Sequence, residues 1–189
     1  MTSKSSLSRL LRPASVAIVG LSADQTKHGG RVLSFLRKVG FEGDIWGVHP
    51  KTPAIDGVEV YPSLKEGPTS PDAIILAVPP PSIPGVLEEA AERKAGGAII
   101  FSGGFAEVGG EGESLQRRVC DIARAGGVRL LGPNSAGIIY PPPRTILSFL
   151  TCLERPAKEI RPGPVGLITQ SGGTGSFMFN LAADRGGGL

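Results

Sequence analysis

The first residues with the makings of chemistry are Gly20-Leu21-Ser22-Ala23-Asp24-Gln25-Thr26-Lys27-His28-Gly29. They follow a short apolar run, Val16-Ala17-Ile18-Val19, and precede a segment, about 28–39, where Val32, Phe35, Leu36 and Val39 recur at helical spacing. A loop between a strand and a helix N-terminus turns main-chain N–H groups toward an anion, and the helix dipole favours negative charge there. Ser22 and Lys27 add side-chain donors. A plain βα turn has the same outline. Anion binding is the favoured reading, because the first βα turn of an α/β sheet so often holds the ligand.

The loop is not the dinucleotide fingerprint. Ser22 stands where the second glycine of G-x-G-x-x-G belongs, and no acidic residue follows the second apolar run to hold a ribose. That run, Ile45-Trp46-Gly47-Val48, leads into His49-Pro50-Lys51. A lysine there attracts a phosphate, as on the ribose of coenzyme A or of NADP. A solvated loop lysine is the simpler alternative.

Three further strand-like runs end in residues that suit a ligand. Ala73 to Val78 stops at Pro79-Pro80-Pro81, a stiff apolar edge for an adenine or pantetheine group, or a helix entry. Ala98 to Phe101 leads into Ser102-Gly103-Gly104-Phe105, whose glycines let main chain approach a ligand. Val128 to Leu131 leads into Gly132-Pro133-Asn134, where Asn134 can hold a thioester or stabilise the turn. The coincidence along these strand ends weighs more than any one motif. A later loop, Gln170-Ser171-Gly172-Gly173-Thr174-Gly175, has the same form and is a second candidate anion site. His28 and His49, the only histidines, read as loop residues, and no Ser/His/Asp set is visible.

These loops need a frame. Strands apolar on both faces, alternating with helices at about 28–39, 82–94 and 111–125, predict a doubly wound parallel α/β sheet, Rossmann-like, with helices on both sides. Ligands in such sheets sit at the carboxyl ends of the strands. Residues 1–139 are expected to form this domain. The proline-rich stretch 140–163 reads as a linker, and 164–189 as the opening of a second unit, with a strand from Val165 to Thr169 and a helix to about Arg185.

Bulk composition narrows the classes. Of 189 residues, 40% are hydrophobic, enough for a packed core, and 28 glycines imply many tight turns. The net charge of +3 comes from dispersed basic residues without interleaved aromatics, which argues against a nucleic-acid partner. Cys120 and Cys152 form no CxxC pair, so neither a metal cluster nor a redox motif is expected. The N-terminus lacks a signal-peptide core, and no run reaches the ~18 apolar residues of a membrane span. A cytoplasmic setting fits.

Taken together, VAIVGLSADQTKHG, IWGVHPK, AIILAVP, IIFSGGFAEVGGEG, GPNSAGII and GPVGLITQSGGTGS resemble, in order, the NDP-forming acyl-CoA synthetases (ADP-forming acetate–CoA ligase among them), relatives of the succinyl-CoA synthetase alpha subunit. The resemblance covers about residues 10–189. It implies a CoA-binding Rossmann-like domain in which Gly20, Ser22, Lys27 and Gly29 line the CoA phosphates. Pro50 and Lys51 then hold the nucleotide end, Val78, Pro79, Ser102, Gly103 and Phe105 run along the cofactor, and Asn134 lies near the thiol. It implies a flavodoxin-like second domain whose first loop, at Ser171, Gly172 and Gly173, binds the phosphate of a phosphohistidine. The implied reaction is acyl-CoA + ADP + phosphate ⇌ acid + CoA + ATP. The resemblance places the phosphohistidine later in the second domain, and ATP/ADP and Mg in an ATP-grasp domain or subunit, so this polypeptide alone is expected not to complete catalysis. An oligomer is expected. Ser135, where relatives often carry Cys, and Ala23 to Thr26, where they often carry Arg or Gly, are departures. A regulatory CoA-binding module and an NAD(P)-binding oxidoreductase domain are the alternatives.

Overall fold

A computed structural model describes residues 5–51 and 54–188. In chain order it holds α1 (Ser6–Leu11), β1 (Ser15–Val19), α2 (His28–Lys38), β2 (Asp44–Val48), β3 (Ala54–Ile55), β4 (Val58–Tyr61), β5 (Ala73–Leu76), α3 (Ile83–Glu92), β6 (Gly97–Ile100), α4 (Glu111–Ala125), β7 (Arg129–Leu131), β8 (Gly137–Tyr140), β9 (Thr145–Ser148) and α5 (Gly172–Asp184). Seven strands form one sheet in the order β3-β4-β2-β1-β5-β6-β7. Every pairing in it is parallel except β3 with β4. This is the expected α/β, Rossmann-like sheet.

Period-two alternation divides the core in two. Ala17, Val19, Trp46, Val48, Ile74, Leu76, Ala98 and Ile100 face α3 and α4, where Ile83, Leu87, Ala90, Val119 and Ala123 meet them. Their sequence neighbours Val16, Ile18, Ala73, Ile75, Ile99 and Phe101 face Val32, Leu33 and Leu36 of α2. β1 is buried at all five positions, so the sheet is covered on both sides.

The segment expected as a linker is not a plain one. β8 and β9 pair antiparallel, with Ile139 opposite Ile146. Ile146 and Leu147 are fully buried, and Ile146 joins Phe35, Cys152, Leu153, Ile160 and Phe179 in a third cluster outside α2. The physical reason is α2 itself, which turns Val32, Leu33 and Leu36 to the sheet and Phe35 to the opposite side, where the hairpin covers it. α5 docks on the same cluster through Phe179. Arg155 clamps its far end, donating to Asp184 (2.6 Å), Glu159 (3.1 Å) and Asn180 (3.2 Å).

The strand expected over Val165–Thr169 is not formed. A strand needs a ladder partner, and these residues pair with no described strand and stand exposed. The helix that follows does form, as α5. No helix of the described residues is long and apolar enough to cross a membrane.

Candidate functional site

The strand order sets the site. The chain leaves β1 through α2 toward β2 on one side and later returns through β5 on the other. The carboxyl ends of β1 and β5 therefore diverge and leave a crevice between their loops. Gly20 lies at its base with φ +87°, and a Cβ there would sit 2.4 Å from the Ala77 carbonyl oxygen and 3.0 Å from Val78 Cγ1. Glycine is required by both the backbone angle and the space.

α2 begins directly over that base. A Cβ on Gly29 would lie 2.2 Å from the Gly20 carbonyl oxygen, and one on Gly30 2.6 Å from that of Ser22. The first helical hydrogen bond runs from Arg31 N–H to the Lys27 carbonyl. The N–H groups of His28, Gly29 and Gly30 are left without intrahelical acceptors, and Lys27 supplies no side-chain cap. The loop is held by its own side chains. Asp24 Oδ1 accepts from the Thr26 hydroxyl (2.6 Å) and N–H (2.9 Å), and Ser22 Oγ accepts from Asp24 N–H (3.1 Å). The Thr26 hydroxyl, then its N–H, hold the Asp24 carboxyl below the ordinary carboxylate range. Ser22 keeps its hydroxyl proton to donate.

The other strand ends line up beside this one. Gly20 N–H donates to Val48 (3.1 Å), which ties the end of β2 to β1; Pro50 and Lys51 follow, both exposed. Val78 is half-buried and Pro79 exposed. The Ser102 hydroxyl donates to the Val78 carbonyl, and Asn134 N–H donates to the Ser102 carbonyl at 2.9 Å. A Cβ on Gly103 would stand 3.5 Å from the Asn134 side-chain oxygen. Lys51, Gly20, Val78, Ser102, Gly103 and Asn134 thus form one strip across five strand ends. Among the described residues neither Lys27 nor Lys51 is in an ion pair.

Phe105 departs from the expected placement. The residue is fully buried in the α3–α4 core, main chain included, because Gly112 lets α4 close on its carbonyl. Glu107 is the residue that sequence reasoning missed. Its Oε1 accepts from Gly104 N–H at 2.6 Å and locks the glycine turn. Its own N–H and that of Gly104 hold the carboxyl below its usual value. The signal was the three-residue spacing Gly104-x-x-Glu107, the reach-back of a capping acid.

The second candidate loop stands beside the first. Ser171 Oγ caps α5 by accepting from Thr174 N–H (3.1 Å), so the N–H groups of Gly172 and Gly173 remain open. A Cβ on Gly172 would lie 3.4 Å from Ala136 Cβ, two residues beyond Asn134. The α5 N-terminus therefore meets the Asn134 end of the strip.

The strip fits coenzyme A. Open N–H groups and Lys27 can face a pyrophosphate, Lys51 a ribose phosphate, and the half-apolar line from Val78 to Asn134 a thin pantetheine chain. Among the described residues no three His, Cys, Asp or Glu side chains gather as metal ligands.

The comparisons agree. The CoA binding domain family matches residues 14–141. The acetate–CoA ligase (ADP-forming) I subunit alpha of Pyrococcus furiosus is 36% identical over 178 residues, covering 92% of this chain and 37% of its own. A trans-feruloyl-CoA synthase from an unknown prokaryotic organism is 35% identical over 97% of this chain and 26% of its own. The crystal structure of PH0766 from Pyrococcus horikoshii OT3 superposes with a TM-score of 0.87 at 28% identity, covering 97% of this chain and 40% of that one. The chain thus spans well under half the length of these relatives. With a family match over the whole sheet and a strip suited to the ligand, this chain belongs to the CoA binding domain family, and coenzyme A is its cofactor.

Proposed function

We propose that the chain is the CoA-binding portion of an NDP-forming acyl-CoA synthetase, which interconverts acyl-CoA, ADP and phosphate with acid, CoA and ATP. The observation that carries this reading is the meeting of two main-chain anion sites. The strip starting at Gly20 ends at Asn134, and there Gly172 and Gly173 present a second pair of open N–H groups. A CoA-binding domain alone needs only the first. An acyl transfer between CoA and phosphate needs both, with the thiol end of one ligand facing the other.

In this reading Gly20, Ser22, Lys27 and Gly29 hold the pyrophosphate, and Pro50 and Lys51 the nucleotide end. Val78, Pro79, Ser102 and Gly103 guide the pantetheine, Asn134 orients the thiol end, and Ser171, Gly172 and Gly173 take a phosphoryl group. Residues 1–139 form the CoA domain, and 164–189 open a flavodoxin-like domain. The nucleotide, with its Mg, belongs to an ATP-grasp domain or partner subunit, as the relative named a subunit alpha supports. The assembly is an oligomer working in the cytoplasm.

Calorimetric titration with CoA, NADH and NADPH tests this. CoA binds and the dinucleotides do not. Tight NADPH binding with no CoA binding would make the chain an oxidoreductase domain and end this reading.

A further inference from the structure

The hairpin of β8 and β9 is tied to α2 at both ends of the helix. At the helix start Phe149, just after β9, stacks on His28, with centroids 4.0 Å apart and planes at 19°. At the helix end Arg144 Nη1 donates to the Gly40 carbonyl (3.3 Å) and to Glu42 (3.1 Å). Arg144 stands at φ +56°, where a hairpin ordinarily has glycine or asparagine. Beside it lies a cavity of about 310 Å³. Val39, the C-cap of α2, Pro141 and Pro162 form apolar walls, and the buried Ile146 and Ile160 back them. Three cations line the cavity, Arg144, Lys158 and Arg161, and no acid does. All three are exposed. With 11 residues in α2, the cavity lies about 16 Å from the open N–H groups of His28, Gly29 and Gly30.

We propose that this cavity is a second ligand site, separate from the CoA strip, and that it binds a small organic acid with its carboxylate among Arg144, Lys158 and Arg161 and its apolar body against the prolines. The cations are available. Among the described residues neither Lys158 nor Arg161 is in an ion pair. Both contacts of Arg144 use Nη1, so Nη2 and Nε remain to donate. The acids close by in sequence are engaged elsewhere, Glu159 with Arg155 and Glu42 with the Nη1 side of Arg144. Three like charges around one cavity repel each other, and an anion between them offsets that repulsion. The carbonyl end of α2 is unfavourable to an anion, but Arg144 on the Gly40 carbonyl and Arg37 and Lys38 in the last turn counter it. The guanidinium fork matches a planar carboxylate, and the apolar walls gain from an apolar body that a bare inorganic ion lacks. The volume is that of a small-molecule site, whereas a protein partner would need a far larger surface.

The test is an NMR titration of the isotope-labelled chain with hexanoate, hexanol, acetate and inorganic phosphate, at neutral pH and fixed ionic strength. Hexanoate is expected to shift the amides of Val39, Arg144, Ile146, Ile160 and Arg161 saturably. It is expected to bind about tenfold tighter than hexanol, which lacks the charge, and than acetate, which lacks the body. Lys158→Gln combined with Arg161→Gln lowers hexanoate affinity about tenfold and leaves hexanol binding and the unfolding midpoint unchanged, since both side chains are exposed and unpaired. Hexanol binding as tightly as hexanoate overturns the proposal, because the cations then take no part. Phosphate binding as tightly as hexanoate also overturns it and marks an adventitious ion only. So do the absence of saturable shifts, shifts confined to the strip around Gly20 and Lys51, and undiminished hexanoate affinity in the double variant.

Discussion

The α-carbon of Gly29 is packed against the carbonyl of Gly20, so closely that a Cβ would lie 2.2 Å from that oxygen. The contact sets the height of the α2 N-terminus above the crevice. Gly29→Ala must push the helix away from β1, at a cost of about 1–3 kcal/mol. Urea unfolding should show that loss, and CoA affinity should fall with it, because His28, Gly29 and Gly30 would no longer point at the same spot. An unchanged midpoint and unchanged CoA affinity would show that the helix start is not held there.

His28 gives a pH dependence with a definite sign. Its pKa is lowered in the fold, by burial first and by Arg31 second. The unfolded chain titrates near 6.5 and so binds more protons between the folded value and about 6.5. This contribution to stability is complete above about pH 6.5 and is lost as the pH falls through that window toward the folded pKa. Unfolding midpoints measured from pH 7.5 down to 5 should fall more steeply for the wild type than for His28→Phe, which keeps a ring on Phe149. Equal slopes would contradict the assignment.

Arg155 reaches Asp184 and Asn180 of α5 from the segment that precedes it. Its side chain is 18% exposed, whereas that of Asp184 is 65% exposed, so the interaction is partly screened. Arg155→Ala is expected to lower the unfolding midpoint slightly and to speed hydrogen exchange over residues 180–184. CoA affinity stays the same, since no strip residue touches Arg155.

The centre of the sheet was legible because β1, β5 and β6 are buried at every position and read as unbroken apolar runs. The strip was legible too, since glycine, proline and asparagine at strand ends announce turns. Much of the rest depended on distant contacts. The prolines around Thr145–Ser148 look like a linker locally, and only the outward-facing Phe35 of α2 reveals why Ile146 is buried. The β3–β4 hairpin turns at Asp56-Gly57, a recognisable signal, but its two-residue strand is too short to show a period. Phe105 among glycines looks like a ligand surface, and its burial depends on Gly112, which lies in the next helix. The stack of His28 on Phe149 joins residues 121 positions apart, and no local pattern encodes it.

In the proposed complex CoA lies along the strand ends with its ribose phosphate at Lys51. The most direct test compares CoA with dephospho-CoA on the wild type and on Lys51→Ala. Dephospho-CoA is expected to bind the wild type more weakly by about 1.5–3 kcal/mol, the worth of one charge-assisted contact. Lys51→Ala is expected to lower CoA to the dephospho-CoA level while leaving dephospho-CoA unchanged. Equal affinity of the two ligands for the wild type, or an equal loss of both on Lys51→Ala, would contradict this placement.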